Sequence, residues 1–357
     1  MASDQNKGVR LVRIDELRRC LAVAFERLRL TPEDAEGLGG LLVDSELRGH
    51  LDHGVAALGV LTTLYREGKL NPRPRVRVLN ETDGAILFDG DRGCGPAVPT
   101  RAMRWCIENA LRRKGMAVAA VRDWQLLVAG PYARLAAEAG LIGFACTNFI
   151  PLVAPPGGRT AVFGTNPFAY GLPARDHQPV VLDVATTVIA MQKVRVAAQE
   201  GAPMAEGVIF DQAGAPITDP KAFLEGGLMA PLGSPRAPHK GFGLALFIDA
   251  LSGVLSGGGF AQGLADGAPG NFFWALDVEA FLPRQEFLAR MDEQIDQIKQ
   301  GDRLPGVDEL LVPGERGQRR YLELTARGLV PLAPASWHML VTACESLDAP
   351  LPEVFGG

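Results

Sequence analysis

Helix-like and strand-like segments alternate along this chain without the even βαβ spacing that builds a doubly wound parallel sheet. The glycine-rich turn such a sheet uses to hold a dinucleotide is also missing. Gly93-Cys94-Gly95 runs into Pro96-Ala97-Val98, so the pair is not completed to Gly-x-Gly-x-x-Gly. The residues therefore point to an α/β chain in which a Rossmann site is not expected. With 357 residues it can bury a substantial core and divide into two or three domains.

Local signals place the elements. Leu17, Cys20, Leu21, Ala24 and Phe25 give 13–29 a helical period. Thr31-Pro32-Glu33-Asp34 supplies a capping hydroxyl, a proline for the first turn and acid for the positive end, so a second helix starts there and runs to Arg48. A third follows from Gly54 to Arg66. Further helices are expected over 97–113, 131–139, 285–299 and 334–347, and from Lys240 to the stop at Gly257-Gly258-Gly259. Strands are expected at 85–90, 116–121, 141–146, 180–182 and 272–276. Glycine and proline crowd 151–175, which suggests loops and short strands around a site.

The densest chemistry is Arg48-Gly49-His50-Leu51-Asp52-His53-Gly54-Val55, just past a helix end. Histidine exchanges a proton near neutral pH, and arginine offers a planar fork for carboxylates. Asp183 ends the short β-rich run Val180-Val181-Leu182. Asn148 and Thr165 lie in loops able to present polar groups. His239-Lys240 opens an apolar helix, and a helix N-terminus with a lysine suits an anion. Plainer roles stay open for each: a solvated helix end for the octapeptide, an Asx turn for Asp183, a surface position for Arg316.

Composition narrows the partners. The net charge of −5 and the short basic runs 112–114 and 319–320 argue against a nucleic-acid surface. Five cysteines, an odd number without redox or metal spacing, read as reduced thiols in a cytoplasmic protein. Five scattered histidines give no metal site. Met1 to Arg10 is polar and lacks a signal-peptide core, and charge, glycine or proline breaks each apolar stretch, so no membrane segment is expected.

The octapeptide resembles the Arg-Gly-His-x-Ser-His-Gly-Val signature of the malate/L-lactate dehydrogenase-like (type 2) oxidoreductases. That family includes sulfolactate and ureidoglycolate dehydrogenases, diketogulonate reductase and piperideine/pyrroline-2-carboxylate reductases. The resemblance continues in order through Thr147-Asn148, Ala154-Pro155-Pro156-Gly157-Gly158, Gly164-Thr165-Asn166-Pro167, Leu182-Asp183-Val184-Ala185-Thr186-Thr187, Pro231-Leu232-Gly233, Lys240-Gly241-Phe242-Gly243 and Pro313-Gly314-Glu315. It implies a non-Rossmann NAD(P)-binding domain with a largely antiparallel sheet, plus a helical domain formed by the chain ends. The expected division is 1–75 with 325–357 helical, 76–125 with 305–324 connecting, and 126–304 binding cofactor. It also implies NADH or NADPH as cofactor, a small-molecule substrate and a homodimer. By resemblance His53 is the proton donor or acceptor, with Arg48 and Asp183 beside it in catalysis. Val181, Leu182, Asp183, Val184, Ala185, Thr186, His239, Lys240, Gly314, Glu315 and Arg316 line the cofactor. Arg48, Asp52, Asn148 and Thr165 face the substrate.

The chain departs from the family at several positions. Asp52 stands where the family has serine, Ala57 where it often has arginine, Leu126 where it has a second histidine, and Val208 where relatives often have tryptophan. A lost cation and a gained acid point away from a simple small 2-oxo acid. The expected activity is hydride transfer to a 2-oxo acid-like carbonyl or a cyclic imine. The alternatives are a specialised biosynthetic dehydrogenase with a remodelled pocket, and a silent relative that keeps the fold.

Overall fold

The structure is a computed structural model that describes residues 8–264 and 268–355; most of the polar N-terminal stretch read above, 1–7, lies outside the described residues. Contacts divide the chain into two compact units. The first comprises Met1–Arg75, Arg92–Ala97 and Glu315–Gly357, and the second Val76–Asp91 and Val98–Gly314.

The first unit is mainly helical. Its helices Ile14–Arg27 and Pro32–Arg48 pack against each other, Glu315–Arg327 lies along Pro32–Arg48, and Pro334–Leu347 lies along Ala57–Arg66. Leu17, Leu21, Phe25, Leu38 and Leu42 are fully buried, as the 3.6-residue period requires. The strand Arg10–Arg13 pairs antiparallel with both Leu329–Leu332 and Val354–Phe355.

The second unit is built on a seven-stranded sheet. The order is Arg77–Glu81, Ala85–Cys94, Met116–Gln125, Asn271–Leu276, Ile142–Thr147, Phe168–Leu172 and Val180–Val184. From Met116–Gln125 to Val180–Val184 every neighbouring pair is antiparallel, with Phe273 opposite both Ala119 and Ala145. Side chains alternate between the faces. On one face small residues such as Ala117, Ala119, Ala145 and Ala275 form a core with the helices Ala97–Arg113 and Gly130–Glu138, and Tyr132 meets Phe273 edge-on at 5.8 Å. On the other, Phe144 stacks on Trp274 at 5.5 Å, beside Ile248 and Leu251. Those two come from the helix Pro238–Asp249 and its π-helical extension Ala250–Val254. A smaller antiparallel sheet joins Leu228–Met229, Ile209–Phe210 and Pro216–Ile217.

The fold is thus mixed α/β with a mostly antiparallel sheet, consistent with the uneven spacing of its elements. Among the described residues no helix is long and apolar enough to cross a membrane. The capped and periodic helices fall within a few residues of their expected bounds. Helices Met191–Glu200 and Glu315–Arg327, and the strand Arg77–Glu81, are not among the expected elements, whereas Phe168–Leu172 is a short strand within 151–175. Arg77–Glu81 is exposed along its whole length. In Glu315–Arg327 Leu324 is buried and Gly317 and Tyr321 lie half-buried on the same side, a short stripe in a helix otherwise rich in charge.

Candidate active site

In the first unit, Thr31 Oγ1 accepts from the Asp34 amide at 3.1 Å and Pro32 occupies the first turn, so the helix Pro32–Arg48 starts where its sequence directs. It ends at Gly49, whose φ of 83° closes the helix in the left-handed region. One tight turn follows, Leu51–His53, with the His53 amide donating to the His50 carbonyl at 3.0 Å. The His53 side chain is 40% exposed, and its Nε2 lies 3.9 Å from Oδ2 of Asp52.

Arg48 is held on three sides. Its Nε donates to Asp44 at 3.0 Å, one terminal nitrogen donates to Gln318 Oε1 at 2.6 Å, and the guanidinium lies 4.2 Å from the Tyr321 ring centre. The side chain is only 9% exposed. Gln318 and Tyr321 belong to the helix Glu315–Arg327, whose first turn carries Glu315 and the exposed Arg316. Glu315 pairs with Arg319 along that helix. The tertiary fold therefore sets 315–321 beside the octapeptide helix, although some 270 residues separate them.

Sequence reasoning missed Glu46. It is completely buried, its Oε2 accepts from the Val55 amide at 3.1 Å, and its Oε1 has no hydrogen-bond partner among the described residues. Burial pushes its carboxyl up to about 7, against the Val55 amide and the weaker pull of Arg320. A signal was available. Leu38, Leu42 and Glu46 recur every fourth residue on one buried stripe, and an acid there breaks the apolar pattern.

In the second unit the remaining candidates fall into connected groups. Val181 N–H donates to the Pro313 carbonyl at 3.3 Å, which joins the strand Val180–Val184 to Pro313-Gly314. Asp183 Oδ2 accepts from Gly130 N–H at 2.7 Å, at the start of the helix Gly130–Glu138, where a carboxylate is favoured by the helix dipole. Thr186 donates from both its amide and its hydroxyl to the Thr165 carbonyl, at 2.8 and 2.9 Å. Leu232 N–H donates to the Thr186 carbonyl, and Gly241 N–H to the Leu232 carbonyl. One backbone network so connects Thr165, Thr186 and the helix bearing His239 and Lys240. Both of those side chains are exposed.

Asn148 is placed differently. It is fully buried; Nδ2 donates to Asp249 Oδ1 and the Gly259 carbonyl, each at 2.9 Å, and Oδ1 accepts from Gly270 N–H at 2.9 Å. Burial raises the Asp249 carboxyl above its ordinary range, against the Asn148 and Ala261 hydrogen bonds. Asn166, also buried, ties the Phe149 amide to the Ala245 carbonyl. These amides fasten loops to one another. Leu126 is buried in the sheet core, Ala57 opens a helix, and Val208 packs against a small cluster around Ile209 and Phe223.

The groups suit a nicotinamide dinucleotide. At the start of the helix Pro238–Asp249 the amides of Lys240 and Gly241 are already bonded to the Ala237 and Leu232 carbonyls, so the donors on offer to a pyrophosphate are the exposed His239 and Lys240 side chains. Among the described residues, no cluster of three or more His, Cys, Asp or Glu is arranged to hold a metal ion.

Comparison with known proteins agrees. The family model for malate/L-lactate dehydrogenase matches residues 12–341. A malate dehydrogenase from Pyrococcus abyssi is 36% identical over 312 residues, which cover 85% of this chain and 86% of the relative. The structure of malate dehydrogenase from Entamoeba histolytica matches with a TM-score of 0.89 at 27% identity, over 97% of this chain and 100% of that one. That of Δ1-piperideine-2-carboxylate reductase from Pseudomonas syringae pvar. tomato matches with a TM-score of 0.81 at 28% identity, over 93% and 99%. Sequence motifs, sheet and relatives converge: the chain belongs to the malate/L-lactate dehydrogenase family.

Proposed function

We infer that this protein is an NAD(P)H-dependent oxidoreductase that reduces a 2-oxo acid-like carbonyl or a cyclic imine, or runs the reverse oxidation. The observation that carries it is His53: a half-exposed imidazole on a turn held by backbone bonds and anchored next to a buried carboxylate. Relatives named for malate and for Δ1-piperideine-2-carboxylate support both substrate classes.

A bound nicotinamide supplies the hydride. His53 gives the proton to the substrate oxygen or nitrogen, or takes it back in oxidation. Arg48, fixed by Asp44, Gln318 and Tyr321, orients the octapeptide. Asp52, a carboxylate 3.9 Å from His53, pairs with an amine or iminium on the substrate in the variant reading of a specialised dehydrogenase with a remodelled pocket. Asp183 and Val181 to Thr186, with Gly314, Glu315 and Arg316, line the cofactor, whose pyrophosphate meets His239 and Lys240. Thr165 holds Thr186, and Asn148 shapes the loops beneath.

The nucleotide site is non-Rossmann in this proposal, and the helical region from the chain ends carries Arg48 and His53. The exposed apolar side chains Leu244, Leu246, Phe247, Val254 and Leu255 suit a homodimer contact. The five buried free thiols suit the cytoplasm.

The test is NADH and NADPH consumption by the purified protein against pyruvate, oxaloacetate, larger aryl 2-oxo acids, and piperideine- and pyrroline-2-carboxylate. Cofactor binding is followed in parallel by fluorescence. Turnover on any of these supports the proposal. Cofactor binding without turnover points to a different substrate, and no binding of either cofactor sinks the reading in favour of a silent relative.

A further inference from the structure

The Gly54 backbone lies so close to the Glu46 carboxyl that a side chain at position 54 would have to displace it. A Cβ built on Gly54 would lie 2.0 Å from Glu46 Oε2 and 3.1 Å from its carboxyl carbon. That same oxygen accepts the amide of Val55. The turn carrying His53 thus leans directly on a buried carboxyl group that neither the proton transfer nor the cofactor site described above uses.

We propose that Glu46 is a positioning residue for His53. Its carboxyl clamps the Val55 amide and so fixes the turn Leu51–His53 against the helix Pro32–Arg48. The inference rests on the reading of His53 as the proton donor.

Several features fit a clamp better than a solvated acid. The side chain has no exposure, so holding a carboxyl there costs desolvation that a leucine in the same stripe would avoid. The group is raised to about 7 by burial, so near neutral pH it is close to its midpoint. Among the described residues one charged side chain, Arg320, acts on it, from the helix Glu315–Arg327 packed along Pro32–Arg48. The turn it holds contributes Asp52 and His53. The helix Ile14–Arg27, which also packs against Pro32–Arg48, contributes no charge to it.

The test uses the full chain with labelled histidine, in which the His53 imidazole resonance is assigned by its loss in His53→Ala. Glu46→Ala and Glu46→Asp should move that resonance and its pH profile. They should lower kcat by roughly tenfold to hundredfold, the scale of a misplaced catalytic group, with the Kd of NADH or NADPH unchanged. Glu46→Gln keeps an oxygen acceptor of the same length and should restore the resonance and kcat. Gly54→Ala should move the same resonance, and by less in a Glu46→Ala background, where the clash is gone. An unmoved resonance in Glu46→Ala, or a Glu46→Gln variant as impaired as Glu46→Ala, overturns the inference. The two readings separate cleanly. Full turnover in His53→Ala would defeat the proton-transfer role, while a resonance that still moves in Glu46→Ala would leave the clamp standing.

Discussion

Gly314 lies against the backbone of Val181 so closely that a Cβ on it would sit 2.5 Å from the Val181 carbonyl oxygen. Two segments more than a hundred residues apart, both expected at the cofactor, are thereby one surface. Gly314 also has a φ of 83°, which costs an L-residue about 1–2 kcal/mol. Gly314→Ala should therefore displace 313–314 from the strand Val180–Val184. A loss of that size weakens NADH or NADPH binding about 5- to 30-fold. Fluorescence titration checks it, with circular dichroism confirming the fold; an unchanged Kd would separate this contact from the cofactor.

His53 stands on a short turn with its imidazole reaching solvent. Removing a positioned acid–base group lowers turnover by about 10²–10⁴-fold. His53→Ala should show that loss in kcat on the best substrate of the panel, with cofactor Kd preserved. A variant within twofold of wild type would move the proton transfer elsewhere.

The Glu46 carboxyl carries a pH signature in stability. Its ordinary value is 4.5 and its folded value about 7, so the folded state holds its proton more tightly than the unfolded chain. The stabilisation is complete below pH 4.5 and is lost as pH rises through 7. A shift of that size amounts to about 3 kcal/mol across the window. Glu46→Gln, which cannot ionise, should flatten that slope, so its stability relative to wild type improves from pH 5 to pH 8. Chemical denaturation at both pH values measures it, and parallel slopes would contradict the assignment.

Asp52 contributes a carboxylate 3.9 Å from His53 Nε2, where family members carry serine. Asp52→Ser should raise kcat/KM for small 2-oxo acids and lower it for amine- or imine-bearing substrates. The ratio of the two, measured on one preparation, decides it. No gain on 2-oxo acids removes Asp52 as a specificity determinant.

Asn148 makes three hydrogen bonds in full burial, to Asp249, Gly259 and Gly270. Asn148→Ala strands those partners, and unsatisfied buried polar groups cost about 1–3 kcal/mol each. Partial relaxation leaves a net loss of about 2–4 kcal/mol in guanidinium unfolding. A variant of wild-type stability but poor KM would instead place Asn148 at the substrate.

The amino-acid sequence by itself determined most helices, because a cap such as Thr31, a proline such as Pro32 and an apolar period act within a few residues. It likewise pointed to the family, through an ordered series of short motifs; the absence of βαβ spacing spoke against a doubly wound sheet, and the antiparallel character came with the family resemblance. Only the tertiary structure decided where the polar groups are spent. Arg48 is turned toward Gln318 and Tyr321, Asn148 is committed to loops, and Thr165 is joined to Thr186. The helix Glu315–Arg327 was harder to read because its less exposed side is brief, Gly317, Tyr321 and Leu324 among many charged residues, and its partner Pro32–Arg48 is distant in sequence. Glu46 shows the reason most plainly. Its place in the helix is set locally, but its lifted carboxyl and its hold on the His53 turn come from burial and from an amide on the far side of a reversing chain, which no local pattern encodes.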